Sequence, residues 1–311
     1  MITLETLLQN TWALLYLLFQ ICTLWPWAII KSFLPKNKKD INGEVMFITG
    51  AGSGIGRGMS IKFAELGATV ICTDINESSA KETASLVKAK GGNAYSYRLD
   101  VTDRHKVYEL ADRIREEIGD VTMLVNNAGI VTGKHFMKCP DELMIKTMEV
   151  NTISHFWTLK AFLGPMIKKN HGHVITISSA AGHAGSPALV DYSASKFGAV
   201  GLHESITAEL LVVADKVKTT NICPFFIKTG MFGGVVSASP YTLPLLEPED
   251  AVNQIVASVL NDELTVFVPG RLRFVIALKN LSPDMLKKPI LDYLCLDDQM
   301  SNFIGRNQKK D

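Results

Sequence analysis

The chain has 311 residues, 47% of them hydrophobic and 20% charged, which is enough apolar material for one large domain or two ordinary ones. The formal net charge of +1 gives no reason to expect nucleic acid as a partner. The five cysteines include no C-x-x-C pair and the seven histidines no H-E-x-x-H pair, so we expect neither a disulfide framework nor a metal site.

The first predicted element is a hydrophobic segment near the N-terminus. No charged residue occurs from Thr6 to Ile30, a run long enough to cross the hydrocarbon core of a membrane as a helix. Lysines follow it, an asymmetry that places the C-terminal flank on the cytosolic side. They are Lys31, Lys36, Lys38 and Lys39. We therefore expect residues 1–40 to form a membrane anchor and basic linker, either spanning the membrane or lying in one leaflet. A core helix of the following domain is the alternative.

Short apolar runs then alternate with stretches of helical period. The predicted strands are residues 45–49, 69–73, 94–99, 122–125, 173–177, 217–223 and 264–268. The predicted helices are residues 55–66, 77–90, 103–118, 141–168, 191–214 and 248–261. This alternation, with strands that are apolar throughout, is typical of right-handed βαβ units on a parallel sheet. We predict one doubly wound α/β domain of the Rossmann type, with about seven strands, over residues 41–270.

The C-terminal segment, residues 271–311, has a different pattern. It mixes basic and apolar residues, beginning with Arg271, Leu272, Arg273 and Phe274. This amphipathic pattern suits a helix that lies on a membrane surface. A helix that packs against the domain or against a second subunit is equally consistent with it.

A glycine-rich loop follows the first predicted strand. In the stretch TGAGSGIG, Gly50, Gly54 and Gly56 lie between a strand and a helix. Glycines there let the phosphates of a nucleotide approach backbone N–H groups at the positive end of the helix dipole. The loop therefore predicts a nucleotide cofactor site, and a tight turn without a ligand is the alternative.

The second predicted strand ends at Asp74. A carboxylate at that place accepts hydrogen bonds from the adenosine ribose hydroxyls and repels a 2′-phosphate, which favours NAD over NADP. Arg57 favours the opposite choice, because a nearby guanidinium stabilises a 2′-phosphate. Capping of the next turn is the alternative role of Asp74.

Tyr192 and Lys196 lie four positions apart in the stretch VDYSASKFG. On a helix, that spacing puts both side chains on one face. If the face lines a cleft, the ammonium stabilises a phenolate. If it faces solvent, the two residues have no chemical role. The pair alone does not decide between these interpretations.

In order and spacing, these motifs resemble those of the short-chain dehydrogenase/reductase family. The spacing T-G-x-x-x-G-x-G at residues 49–56 is the form found in that family, and the resemblance extends over roughly residues 44–268. The further motifs, in order, are Asp100-Val101, Asn126-Asn127-Ala128-Gly129, Asn151, Ser179, Tyr192 and Lys196. One departure is Phe225, which follows Pro224 where the family usually has glycine, and which either narrows the pocket or packs.

The resemblance implies a role for each residue. Tyr192 is the general acid/base, and Lys196 with an oxidised nicotinamide ring brings its pKa toward working pH. Ser179 holds the substrate oxygen, and Asn151 positions a water in the proton relay. The implied NAD-binding residues are Gly50, Ser53, Gly54, Ile55, Gly56, Asp74, Asp100, Val101, Asn127, Ala128, Gly129, Tyr192, Lys196 and Thr229. A homodimer paired through the helices after strands four and five is also implied.

Longer stretches, such as NNAGIVTGKHFMKCPDELM and CPFFIKTGMF, look like those of the membrane-bound retinol dehydrogenases of this family. That group implies a lipophilic substrate: all-trans-retinol is oxidised to all-trans-retinal with NAD⁺. It also implies the endoplasmic reticulum membrane or the lipid droplet as the location, with the catalytic domain facing the cytosol. Alternatives are a 17β-hydroxysteroid or other lipid-alcohol dehydrogenase, and a catalytically silent lipid-droplet scaffold.

The loop of residues 229–248 is long, apolar and rich in glycine and proline. Such a loop suits a lid over an apolar substrate. Buried packing is the alternative role of its side chains. The candidate lining residues are Met231, Phe232, Val235, Val236 and Leu243.

Overall fold

The computed structural model describes residues 4–32, 38–236, 243–293, 300 and 303–305. The chain divides into two compact units, Met1–Lys38 and Lys39–Asp311. Residues 33–37 of the predicted linker, residues 237–242 of the predicted lid and part of the C-terminal segment lie outside the described residues.

The first unit contains helix α1 (Leu4–Ser32). The predicted hydrophobic run, residues 6–30, is therefore helical throughout. The large apolar side chains described on this helix are exposed, for example Trp12 at 71% and Phe19 at 64%. Within the described part of the chain, no helix is both long enough and apolar enough to cross a membrane.

The second unit is built on a seven-stranded parallel sheet. Its strands are β1 (Val45–Thr49), β2 (Thr69–Asp74), β3 (Ala94–Arg98), β4 (Met123–Asn126), β5 (His173–Ile177), β6 (Lys218–Pro224) and β7 (Thr265–Val268). Their order is β3-β2-β1-β4-β5-β6-β7, and neighbouring strands are parallel. The predicted doubly wound sheet is confirmed, and each strand begins and ends within one residue of its predicted bounds.

Helices cover both faces of the sheet. The described α-helices of the second unit are α2 (Gly54–Glu65), α3 (Glu77–Ala89), α4 (Arg104–Glu117), α5 (Asp141–Met148), α6 (Ser154–Lys169), α7 (Val190–Val213), α8 (Pro248–Leu260), α9 (Leu272–Leu281) and α10 (Asp284–Tyr293). Side-chain caps fix two of the starts, because Asn76 accepts hydrogen bonds at the start of α3 and Asp103 at the start of α4. One turn of π-helix, Glu149–Ile153, joins α5 to α6. Such turns are frequent at functional sites.

Helices bury the sheet on both faces, and successive strand residues point to opposite faces. In β1, Met46 and Ile48 pack in the cluster that includes α2 and α8, whereas Phe47 packs in the cluster that includes α4 and α6. The Phe47 ring lies 4.5 Å from that of Phe162, centroid to centroid. Both faces need apolar residues, which explains the continuous apolar runs of the sequence.

The strand order reverses between β1 and β4, which are neighbours in the sheet. At such a switch point a crevice opens outside the carboxyl ends of the strands, and ligands bind there. The ends of β1, β4 and β5 carry Gly50, Asn127 and Ser179 to this edge. The fold therefore gathers residues that are far apart in the sequence.

Candidate active site

The glycine-rich loop packs so closely that side chains are excluded at two positions. Gly50 has a φ of +65°, and a Cβ there would lie 2.9 Å from Ala128 Cα. A Cβ on Gly56, in the first turn of α2, would lie 2.2 Å from the Gly50 carbonyl oxygen. The loop is therefore bare backbone leading into a helix N-terminus, an arrangement that can hold the phosphates of a nucleotide.

Asp74 ends β2 beside this loop. Its Oδ2 accepts a hydrogen bond from the N–H of Gly52 at 3.0 Å, and its Oδ1 accepts one from the N–H of Asn76 at 3.0 Å. The second bond orders the turn after β2, which is the capping role considered above. The carboxylate also lines the cavity described below, so it is placed where the predicted ribose contact requires it. Arg57 is paired with Glu82 of α3.

Asp100 and Val101 follow β3 on the adjoining wall. Burial acts to raise the pKa of Asp100, but hydrogen bonds from Thr102 and the Lys146 ammonium outweigh it and leave the pKa below its usual range. The Thr102 hydroxyl donates to Asp100 Oδ1 at 2.7 Å. Lys146 of α5 also lines the cavity. Sequence reasoning missed Lys146, because only the packing of α5 brings it to the end of β3.

The NNAG motif after β4 is tied to the end of β1. The Thr49 hydroxyl accepts hydrogen bonds from the N–H groups of Asn127 and Ala128 at 2.9 and 3.0 Å. The Asn127 side chain donates to the carbonyls of Thr49 and Gly50 at 2.8 and 3.2 Å. These bonds hold the two central strands together and fix the floor of the crevice.

Tyr192 and Lys196 lie one turn apart on the buried face of α7. They are 5% and 3% exposed, so the face that carries them lines a cavity and does not face solvent. Lys196 Nζ lies 5.7 Å from the centre of the Tyr192 ring and donates to the Ile177 carbonyl at 2.9 Å. Ser179 lines the same cavity, and its hydroxyl accepts from the N–H of Ala181 at 3.1 Å.

Burial shifts the pKa of both residues on α7. It raises the pKa of the Tyr192 phenol to about 12, and a hydrogen bond with Ser179 acts in the opposite direction. It lowers the pKa of the Lys196 ammonium to about 8. Removal of the phenol from water thus outweighs the hydrogen bond with Ser179. The expected shift of Tyr192 toward working pH rests on positive charge that the nicotinamide ring brings.

Asn151 lies in the π-helical turn between α5 and α6 and is fully buried. Its Oδ1 accepts from the N–H of Ile130 at 2.9 Å, and its Nδ2 donates to the Ile130 carbonyl at 3.0 Å. Nδ2 also donates to Ser195 Oγ of α7 at 2.9 Å. These contacts tie α7 to the segment after β4. The role of Asn151 in positioning a water stays a prediction.

One cavity of about 350 Å³ joins these groups. Every residue predicted to bind the cofactor lines it, and so does Ser179; of the predicted catalytic residues, Asn151 alone lies behind the wall. Thr229, after β6, lies beside the glycine-rich loop. A Cβ placed on Gly54 would be 3.5 Å from Thr229 Cγ2. The structure therefore brings the predicted site residues together in one place.

Aromatic side chains line the cavity beyond Tyr192. Phe232 lies edge-on to Tyr192 with ring centroids 6.0 Å apart, and edge-on to Phe226 at 5.0 Å. Phe225 lies edge-on to Phe226 at 5.0 Å and also lines the cavity. Phe225 therefore both packs and narrows the pocket. This wall suits an apolar molecule whose reacting oxygen sits beside Tyr192.

The predicted substrate wall is partly correct. Met231, Phe232 and Leu243 line the cavity, whereas Val235 is buried in packing and Val236 is exposed. Helix α9 supplies wall residues that the sequence analysis missed. They are Leu272, Val275 and Ile276. Their helical spacing was the available signal, but it gave no indication of what they face.

The sequence matches a known family over most of the second unit. Residues 44–239 match the family model for short chain dehydrogenases, so the chain belongs to the short-chain dehydrogenase family. It is 45% identical over 284 residues to epidermal retinol dehydrogenase 2 of Homo sapiens, covering 91% of this chain and 92% of the relative. It is 41% identical over 258 residues to estradiol 17-beta-dehydrogenase 11 of Homo sapiens, covering 83% and 85%.

A solved structure shares the fold. The short chain dehydrogenase/reductase from Burkholderia phymatum in complex with NAD superposes with a TM-score of 0.71 at 24% identity, covering 78% of this chain and 94% of that one. In the present structure, the bare backbone at Gly50 and Gly56 leaves a cradle that a Cβ would fill, so the residues fit a dinucleotide. The chain is a dehydrogenase of this family, and its site fits a nicotinamide dinucleotide.

Proposed function

We propose that the enzyme oxidises all-trans-retinol to all-trans-retinal with NAD⁺. The observation that carries the proposal is the composition of the cavity, in which Ser179 and Tyr192 adjoin a wall of aromatic and aliphatic side chains. An alcohol with a long apolar body needs both kinds of surface. The 45% identity to a protein named epidermal retinol dehydrogenase 2 supports the choice of retinol.

The cavity residues divide the chemistry among them. Ser179 and Tyr192 hold the alcohol oxygen, and Tyr192 takes its proton as the general base. Bound NAD supplies the acceptor for the hydride. Lys196 stabilises the phenolate by its charge and holds the nicotinamide ribose, and Asn151 positions a water that returns the proton to solvent. Asp74 selects NAD over NADP at the adenosine ribose.

A substrate panel tests this proposal. Purified full-length protein in detergent is given retinol or estradiol, each with NAD⁺ and with NADP⁺, and kcat/KM is measured. We expect the highest value for retinol with NAD⁺. A higher value for estradiol would favour steroid oxidation, the candidate that the second named relative supports. Absence of turnover with both alcohols would contradict the proposal.

We also propose that α1 anchors the enzyme to the endoplasmic reticulum membrane or to lipid droplets, with the second unit facing the cytosol. The exposed apolar side chains of α1 support this, because their exposure to water is unfavourable and a membrane would bury them. Carbonate extraction tests whether the chain is anchored. Protease treatment of sealed microsomes tests whether the second unit faces the cytosol. Extraction into the soluble fraction, or a second unit that is protected until detergent is added, would contradict it.

The C-terminal segment is proposed to touch the same membrane. Phe274, Leu278 and Leu281 of α9 and Met285 of α10 are exposed, Phe274 at 74%. Replacing Phe274 and Leu278 by serine should raise the KM for retinol supplied in phospholipid vesicles but not for retinol supplied in detergent. An equal rise in KM in vesicles and in detergent would mean that Phe274 and Leu278 act on the cavity and do not bind a membrane.

The enzyme is further proposed to be a homodimer paired through the helices after β4 and β5. Exposed apolar residues on these helices support this, among them Phe156 on α6 and Phe197 on α7. Light scattering in detergent should give twice the chain mass of 34.1 kDa. The double variant Phe156→Glu, Phe197→Glu should have the mass of one chain. A wild-type protein with the single mass would contradict the proposal.

A further inference from the structure

Arg57 is held by four hydrogen bonds beside the glycine-rich loop. Its Nη1 and Nη2 donate to the two carboxylate oxygens of Glu82 at 3.0 and 2.6 Å. Nη2 also donates to the Gly52 carbonyl at 2.7 Å, and Nε donates to the Thr83 hydroxyl at 3.1 Å. A two-point contact between guanidinium and carboxylate fixes direction as well as charge. The cation is therefore held in one place by α3.

Gly52 connects this pair to Asp74. Its carbonyl accepts from Arg57, while its N–H donates to Asp74 Oδ2 at 3.0 Å. The contact is close, because a Cβ on Gly52 would lie 2.7 Å from that oxygen. Glu82, Arg57, Gly52 and Asp74 thus form one continuous series of contacts. Asp74 lines the cavity, whereas Arg57 and Glu82 stand behind it.

We propose that Glu82 is a positioning residue for cofactor selection. By holding Arg57, it neutralises a cation that would otherwise attract the 2′-phosphate of NADP, and it leaves Asp74 as the dominant charge at the ribose. Arg57, which the sequence suggested as a residue favouring NADP, is in this arrangement withheld from it. The inference rests on the proposed preference for NAD.

The test is equilibrium binding of NADH and NADPH to the full-length protein in detergent, measured by calorimetry. Glu82→Gln removes the negative charge and keeps the size of the side chain. We expect the ratio of the NADPH Kd to the NADH Kd to fall about tenfold, mainly because NADPH binds more tightly once the cation is released. Adding Arg57→Ala to this variant should cancel the gain for NADPH.

Glu65→Gln is the matched control. Glu65 ends α2 and accepts a hydrogen bond at 2.8 Å from Lys90, which follows α3, so it bridges the same two helices at the end far from the glycine-rich loop. Glu65→Gln changes the net charge by the same amount as Glu82→Gln. It should leave the ratio of the NADPH Kd to the NADH Kd unchanged.

Three results would overturn the inference. An unchanged ratio in Glu82→Gln, including equal weakening of both cofactors, would mean that Glu82 only joins two helices. An equal shift in Glu65→Gln would mean that any lost carboxylate has the effect. A wild-type protein that binds NADPH as tightly as NADH would remove the preference itself, and the role of Glu82 with it.

Discussion

The stability of the second unit in acid should depend on its buried histidines. Burial lowers the pKa of His155 on α6 to about 3 and that of His203 on α7 to about 4. His203 Nδ1 is hydrogen-bonded to the Thr176 hydroxyl at 2.8 Å. Burial also holds the pKa of His173 in β5 well below its usual range. These rings stay neutral in the folded chain at a pH where the unfolded chain protonates them.

The sign and size of the effect follow from these shifts. Because the folded pKa values lie below the ordinary value of 6.5, the stability that these groups contribute is complete above pH 6.5 and is lost as the pH falls toward the folded values. At about pH 5, each of His155 and His203 removes about 2 kcal/mol from the free energy of unfolding. Together they remove about 4 kcal/mol, which lowers the melting temperature by roughly 10 °C.

Circular dichroism of the full-length protein in detergent measures the melting temperature between about pH 7 and about pH 5. His203→Gln removes one titrating ring, so the slope of stability against pH should decrease by about 1.4 kcal/mol per pH unit. His105→Gln, at the exposed start of α4, is the control and should leave the slope unchanged. A wild-type melting temperature that does not change with pH would refute the reasoning. So would a slope of stability against pH in His203→Gln that equals that of the wild type.

Three changes at the site have expected outcomes. Tyr192→Phe should lower kcat about 10²–10⁴-fold while NADH still binds. Tyr95→Phe, at an exposed position of the edge strand β3, should leave kcat unchanged. Normal turnover in Tyr192→Phe would end its assignment as the base. Gly56→Ala should abolish NADH binding, because its Cβ would lie 2.2 Å from a carbonyl oxygen, whereas Gly164→Ala meets nothing within 4 Å and should bind NADH normally in calorimetry. Asp74→Ser should reduce the preference for NAD⁺ over NADP⁺ in kcat/KM by about 10–150-fold, and an unmoved ratio would show that Asp74 does not select the cofactor.

Local patterns allowed most of the fold to be predicted from the sequence. A strand such as β1 is apolar throughout because it is buried on both faces, so its bounds can be seen in the sequence. The contact between Tyr192 and Lys196 is also local, since residues four apart on a helix share a face. The order of the motifs then placed the ends of β1, β4 and β5 at one edge of the sheet.

Contacts between distant segments could not be predicted in this way. Arg57 and Glu82 are 25 residues apart, and their pairing depends on how α2 packs against α3. Lys146 reaches the cavity only through the packing of α5. The direction of the Tyr192 pKa shift depends on how deeply the ring is buried, and no pattern of neighbouring residues states that depth.

Helix α9 is apolar on two opposite sides. Leu272 and Ile276 face the cavity, while Phe274 and Leu278 face outward. If a molecule bound on one side shifts this helix of 10 residues, the surface on the other side shifts with it. Such coupling is reciprocal: a membrane that binds the outer face more tightly when the cavity is filled must tighten substrate binding by the same factor. Binding of the membrane at this helix and binding of an apolar alcohol in the cavity would then be coupled in one equilibrium.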